Sequence, residues 1–170
     1  MLVRYDPLLA RFRFWWRDER LPVAIGRNGI TVAKREGDGA TPIGTLPIRR
    51  VLYRADRVEA PRTRLPVQAI RPEDGWCDDP ENPWYNKPVD LPFPARHERL
   101  WRDDHVYDLI AVLGWNDAPV VPGRGSAIFL HVARPDFSGT EGCVALAMDD
   151  LVRVLADAGP GDTLTISARF

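Results

Sequence analysis

Two side chains in this 170-residue chain stand out by type and spacing: the imidazole of His131 and the thiol of Cys143. His131 ends an apolar, β-branched and aromatic run that starts near Ile128. A turn-rich connection follows, holding Pro135, Ser138, Gly139 and Gly142, and it delivers Cys143. Closing so short a loop costs little entropy, so a fold can bring the two side chains together. A neutral imidazole beside a thiol can take its proton and leave a thiolate, the nucleophilic form. The pair is therefore the candidate base and nucleophile, with a thiol expected to ionise readily. The plainer alternatives are a cysteine that packs as a small hydrophobe and a histidine with a structural role at a strand end.

The context of Cys143 favours the chemical reading. His131, followed by the segment Thr140-Glu141-Gly142-Cys143-Val144, resembles the active-site signature of the L,D-transpeptidase (YkuD-type) family. Thr41-Pro42-Ile43-Gly44 is similar to a second family feature, a turn beside the cleft, and the likeness runs from about Pro22 onward. The resemblance implies a mostly β, sandwich-type fold with one helix packed on the sheet after the cysteine. It also implies that Cys143 attacks the carbonyl of the L-centred diamino acid in a peptidoglycan tetrapeptide stem. D-alanine leaves and a thioester remains, with His131 acting first as general base and then as general acid. By the same likeness the Val132 carbonyl orients the imidazole, and the Gly142 and Cys143 N–H groups hold the oxyanion. The chain departs from the pattern at three positions: Val132 replaces a glycine, Glu141 a histidine and Ala145 an arginine. Arg134 is a candidate to replace that arginine as a bidentate partner for a substrate carboxylate. Arg134, Thr140 and Glu141 form the expected substrate-binding set.

Composition bounds the alternatives. The chain carries 45% hydrophobic and 28% charged residues, with 23 Lys and Arg against 24 Asp and Glu, an ordinary globular balance. No basic excess argues for nucleic acid, and no apolar run approaches a membrane span. Charges from Arg4 to Arg20 interrupt any apolar signal segment. Cys77 and Cys143 are expected to be unpaired, because a disulfide would consume the nucleophile. Both points suggest the cytoplasm, or the periplasm if a signal has been removed. Cys77 with His97 or His105 lacks metal-ligand spacing and is read as packing, so neither metal nor cofactor is called for. The glycines of Lys34 to Gly44 lack a phosphate-loop ending.

The elements that must position the pair follow from periodicity, within a single domain over residues 1–170. Arg11 to Arg17 alternates charge and aromatic rings as a half-exposed strand does, a membrane-surface or nucleic-acid patch being the sharper alternative. Leu21–Gly26 and Gly29–Lys34, joined through Asn28-Gly29, predict a hairpin. Strands are expected at Thr45–Arg54, Leu65–Ile70, Val106–Trp115, up to His131, and at Thr163–Ala168. Residues 71–104, rich in proline and tryptophan, read as an ordered loop walling the cleft. Leu151, Val154, Leu155 and Ala158 recur at helical spacing, with Asp149 and Asp150 in the first turn and Gly159 as the stop.

With no export signal, soluble muropeptides are the expected substrate and water the expected acceptor, making the activity an L,D-carboxypeptidase. Three readings stand beside it: a cross-linking transpeptidase, a non-catalytic muropeptide-binding module, and a cysteine hydrolase for another amide.

Overall fold

The computed structural model describes residues 1–168. β1 (Leu2–Asp6), β2 (Arg11–Trp16) and β3 (Glu19–Pro22) form an antiparallel meander. The alternation in β2 turns Phe14 and Trp16 inward. On the outer face Arg4 and Arg20 lie over the Trp15 ring at 4.1 and 4.4 Å. These arginines are thus engaged in cation–π contacts.

β4 (Ile30–Thr31) pairs in parallel with β5 (Thr41–Pro42), followed by β6 (Gly44–Tyr53) and β7 (Val67–Ala69). The hairpin expected at Asn28-Gly29 does not form. Gly29 turns the chain with a positive φ of 80°, but the two arms pair elsewhere. Ala24 bridges to Ala145 and Gly26 to Thr140, while Ile30 and Thr31 pair with Thr41 and Pro42. Residues 71–104 hold their own sheet of β8 (Asp74–Cys77), β9 (Pro88–Asp90) and β10 (His97–Arg99), with β8 central. The prolines sit at strand ends and turns, which masked the short strands. The strand expected from Val106 starts later: His105–Tyr107 is a 3-10 turn and β11 covers Leu109–Leu113.

β12 (Phe129–Val132), β13 (Val144–Leu146), helix α1 (Met148–Asp157) and β14 (Thr163–Ser167) complete the chain. The main sheet runs β13-β12-β11-β6-β14-β1-β2-β3, with β7 beside β6. The protein is mostly β with one helix, as expected. That helix buries Leu151, Val154 and Leu155 completely, and carries Asp149 and Asp150 in its first turn. Gly159 is not a left-handed cap; its N–H donates to Asp162 Oδ2 at 2.8 Å and the Arg64 guanidinium fills the space beside it.

Strand parity separates two cores. Leu109, Ala111 and Leu113 of β11, Leu130 and Val132 of β12, and Val144 and Leu146 of β13 belong to the core that also holds the helix residues Leu151 and Leu155. Ile110, Val112 and Phe129 belong to the other, with Trp76, Leu100, Tyr107 and Cys143. Successive side chains on a strand face opposite ways, so β12 turns His131 to the side of Phe129. Asn86 anchors the small sheet to the main one. Its Nδ2 donates to the Trp115 and Asn116 carbonyls, both at 2.9 Å, and its Oδ1 accepts from Trp76 Nε1 and the Ala127 N–H, both at 3.0 Å.

Leu155→Ala, which opens a void between helix and sheet, is expected to cost about 2–5 kcal/mol. Leu8→Ala, at a side chain 83% exposed, should stay within about 0.5 kcal/mol. Urea unfolding of the two variants checks the contrast.

Candidate active site

β12 and β13 run parallel, with Leu130 opposite Val144 and His131 opposite Ala145. That register sets Cys143, one residue before β13, beside Phe129, two residues before His131 and on the same face. The Phe129 N–H donates to Cys143 Sγ at 3.4 Å, and the Cys143 thiol donates to the Ala127 carbonyl at 3.2 Å. Both Cys143 and His131 line one cleft of about 1130 Å³. β10 and the 3-10 turn contribute Glu98, Arg99 and Tyr107 to its lining, and the connection before Cys143 contributes Arg134 and Glu141.

The imidazole is held on two sides. His131 Nδ1 lies 2.9 Å from the Val132 carbonyl. A carbonyl only accepts, so Nδ1 carries the proton and Nε2 keeps its lone pair for use as a base. The Tyr107 ring meets the imidazole edge-on, with centroids 5.3 Å apart. The Tyr107 hydroxyl donates to Glu98 Oε1 at 2.6 Å. Val132 therefore orients the base through its main chain, whatever its own side chain.

The turn before Cys143 is built from backbone contacts. Thr140 exchanges backbone hydrogen bonds with the 25–27 segment, its N–H to the Ile25 carbonyl at 2.9 Å and its carbonyl from the Arg27 N–H at 2.8 Å. The Thr140 hydroxyl donates to the Cys143 carbonyl at 2.6 Å and accepts from the Gly142 N–H at 3.2 Å. Thr41 Oγ1 donates to the same Cys143 carbonyl at 3.3 Å. Gly142 has φ +132°, and a Cβ there would sit 2.9 Å from the Ala40 carbonyl oxygen, so the close approach requires glycine.

These contacts change several expected roles. Thr140 lines the cleft, but it is buried and its hydroxyl is engaged twice within the turn that carries the nucleophile. Of the two N–H groups expected to face an oxyanion, that of Gly142 is already bonded to the Thr140 hydroxyl. Glu141 is exposed and ion-paired with Arg27 at the rim. Arg134 is exposed at the cleft, where its charge bears on Asp104, Asp136 and the His131 imidazole. Ala145 is 1% exposed and exchanges both backbone hydrogen bonds with Ala24, so a long side chain has no room there.

Electrostatics overturn the expected easy ionisation. Burial, reinforced by the nearby Glu98, pushes the Cys143 thiol up to about 12, against a weaker pull from the Phe129 N–H and Lys34. Burial lowers His131 to about 4, with Arg134 and Arg102 adding repulsion and the Val132 carbonyl opposing them. The resting pair is a thiol and a neutral imidazole, because an ion pair loses too much hydration in a closed cleft. The thiol proton is directed at the Ala127 carbonyl, and among the described residues no hydrogen bond joins Sγ to the His131 ring.

Glu98, Tyr107 and Lys34 escaped sequence reasoning. Glu98 lies in a segment read only as wall, Tyr107 in one read only as strand, and Lys34 in a cluster read only as turns. Cys77 is fully buried and unpaired, as expected of packing. Among the described residues no group of three or more His, Cys, Asp or Glu could hold a metal, and no helix is long and apolar enough to cross a membrane.

The comparison with protein families matches residues 8–166 to the family described as YkuD, L,D-transpeptidase catalytic domain. No curated protein and no solved structure matches the chain.

Two outcomes follow for His131 and Thr140. A buried base near 4 is neutral across the range above it, so the acid limb of the rate profile should fall near pH 4, well below the ordinary histidine value of 6.5. Between those values the unfolded chain binds the extra proton, so stability should decline as pH falls from about 6.5 towards 4. That slope should be lost in His131→Gln, measured by denaturant unfolding against pH. Thr140→Val removes the clip on the turn and is expected to lower kcat/KM by about 10- to 100-fold while the fold survives.

Proposed function

The chain belongs to the L,D-transpeptidase catalytic-domain family, a cysteine-dependent family acting on peptidoglycan, and we propose that its acceptor is water: an L,D-carboxypeptidase on muropeptide tetrapeptides. In this reading Cys143 Sγ attacks the carbonyl of the bond between the diamino acid and D-alanine, as His131 Nε2 takes the thiol proton. The Cys143 N–H steadies the oxyanion. His131 then gives its proton to the departing D-alanine nitrogen, and a thioester with Cys143 remains. A water molecule, deprotonated by His131, adds to the thioester carbonyl. The C–S bond breaks, the thiolate recovers a proton from His131, and the tripeptide leaves with a new carboxyl group. Arg134, exposed at the cleft, supplies a guanidinium for the substrate carboxylate.

The observation that carries the choice of acceptor is the Arg27–Glu141 ion pair at the rim beside the nucleophile. Cross-linking requires an acceptor amine held against the thioester in competition with water at about 55 M, which demands a dedicated docking surface. Here that flank carries a self-paired couple, and the buried Ala145 contributes no group to it. Hydrolysis requires only solvent access and the His131 base.

Incubation with disaccharide-tetrapeptide and chromatographic separation of the products tests the proposal. Disaccharide-tripeptide and free D-alanine are expected; a dominant cross-linked dimer would restore the transpeptidase reading. Cys143→Ala and His131→Ala should each lose turnover, while Cys77→Ser keeps it. Retained turnover in Cys143→Ala would remove the cysteine mechanism altogether.

A further inference from the structure

Lys34 is an anomaly for its residue type. Lysine is almost never fully buried unless paired, yet this side chain is only 3% exposed. It lies in the turn cluster Lys34-Arg-Glu-Gly-Asp-Gly, which the sequence reading left without a role. Its ammonium donates to Asp38 Oδ1 at 2.5 Å and to the Arg35 carbonyl at 3.1 Å. Asp38 is itself anchored, accepting from the Arg35 N–H at 2.8 Å and the Ala40 N–H at 2.9 Å. The loop is pinned further along, where Glu36 Oε2 accepts from Tyr85 at 2.5 Å and from Ser126 at 2.8 Å. The ammonium is thus fixed from both sides.

Its location gives that rigidity a use. A Cβ on Gly142 would stand 3.2 Å from Lys34 Nζ, and one on Gly125 would stand 2.9 Å from Lys34 Cε. The charge therefore sits directly behind the Gly142–Cys143 turn, reached because both glycines lack side chains. Lys34 is not among the residues lining the cleft, so substrate does not touch it. The other groups bearing on the thiol are Glu98 on β10, which opposes a thiolate, and the Phe129 N–H on β12, which favours one. Tyr107, hydrogen-bonded to Glu98, is itself coupled to the thiol.

We propose that Lys34 is a positioning residue of the reaction, a buried cation that holds the Gly142–Cys143 turn from behind and offsets the negative charge developing on the Cys143 sulfur and on the oxyanion beside its N–H. Asp38 offsets part of this charge, and what remains is fixed in place and acts without rearranging as the reaction proceeds. The inference rests on Cys143 being the nucleophile. It does not depend on the acceptor, so its test reads the thiol directly.

In a Cys77→Ser background, the rate at which iodoacetamide modifies Cys143 is followed by intact-mass spectrometry from pH 7 to 10, beside thermal unfolding. Lys34→Met is expected to slow alkylation about ten-fold at pH 8 and to displace the rate–pH profile towards higher pH. Lys34→Arg should recover most of the rate. Lys34→Gln separates charge from hydrogen bonding, since its amide can still donate to Asp38 without a charge; it should remain slow, and it replaces the methionine variant if that one does not fold. A folded Lys34→Met or Lys34→Gln with wild-type rate and profile overturns the proposal, as does a Lys34→Arg no faster than Lys34→Gln. A wild-type Cys143 that alkylates no faster than the same thiol in denaturant, on an enzyme active without it, would overturn the nucleophile assignment and this inference together. Slow alkylation of a wild type that needs Cys143 for turnover leaves that assignment standing and still ranks the Lys34 variants.

Discussion

The parallel pairing of β12 with β13 is the constraint on which the site depends. Side chains on a strand alternate faces, so a slip of one residue would turn His131 towards the helix-side core and leave the cleft without its base. The register is well defended. Leu130, Val144 and Leu146 are completely buried on the helix side, and moving any of them to the cleft would trade an apolar contact for an open wall. A parallel pair also requires a crossover connection, and residues 133–143 supply it. The loop that carries Thr140 and Gly142 is thus a consequence of the pairing as well as the bearer of the nucleophile.

That loop would be mobile if it were held only at its ends. It is instead braced by the segment from Ala24 to Thr41, which pairs with Ala145 and Thr140 and sends the Thr41 hydroxyl to the Cys143 carbonyl. Gly26 belongs to the same brace: a Cβ there would meet the Gly39 carbonyl oxygen at 2.5 Å, and its N–H donates to Thr41 Oγ1 at 2.8 Å. The segment expected as a hairpin gives up its own pairing to fix the turn before the cysteine. Local pairing would satisfy the same backbone groups, but would leave the nucleophile unsupported.

Burial shapes the chemistry in the same way. A thiol pushed up and an imidazole pushed down both disfavour a resting ion pair. The balance shifts when negative charge develops inside the cleft, where Tyr107 and Glu98 frame the base and donors stand ready near the sulfur. Most charges around the cleft are already matched, as in Arg102 with Asp104 and Arg96 with Asp78. Arg99 and Arg134, both exposed and both lining the cleft, lie outside these ion pairs.

By itself, the sequence determined the pair His131 and Cys143, the mostly β architecture, the helix after the cysteine and the glycine at 142. Each of these is written locally, in residue type, in a period of two or of 3.6, or in a short motif. Only the tertiary structure decided what surrounds the pair. The hairpin at Asn28-Gly29 failed because its first arm found partners more than a hundred residues away, which no local pattern reports, and its second paired with Thr41 and Pro42. The small sheet in residues 71–104 was hidden because its strands are three or four residues long and bounded by proline, too short to show a period. The clip formed by Thr140 was not legible because its hydroxyl is claimed by backbone groups of its own turn. The ionisation of Cys143 was misjudged because a thiol's acidity is set by the water it loses and the charges it meets, and both belong to the packed cleft.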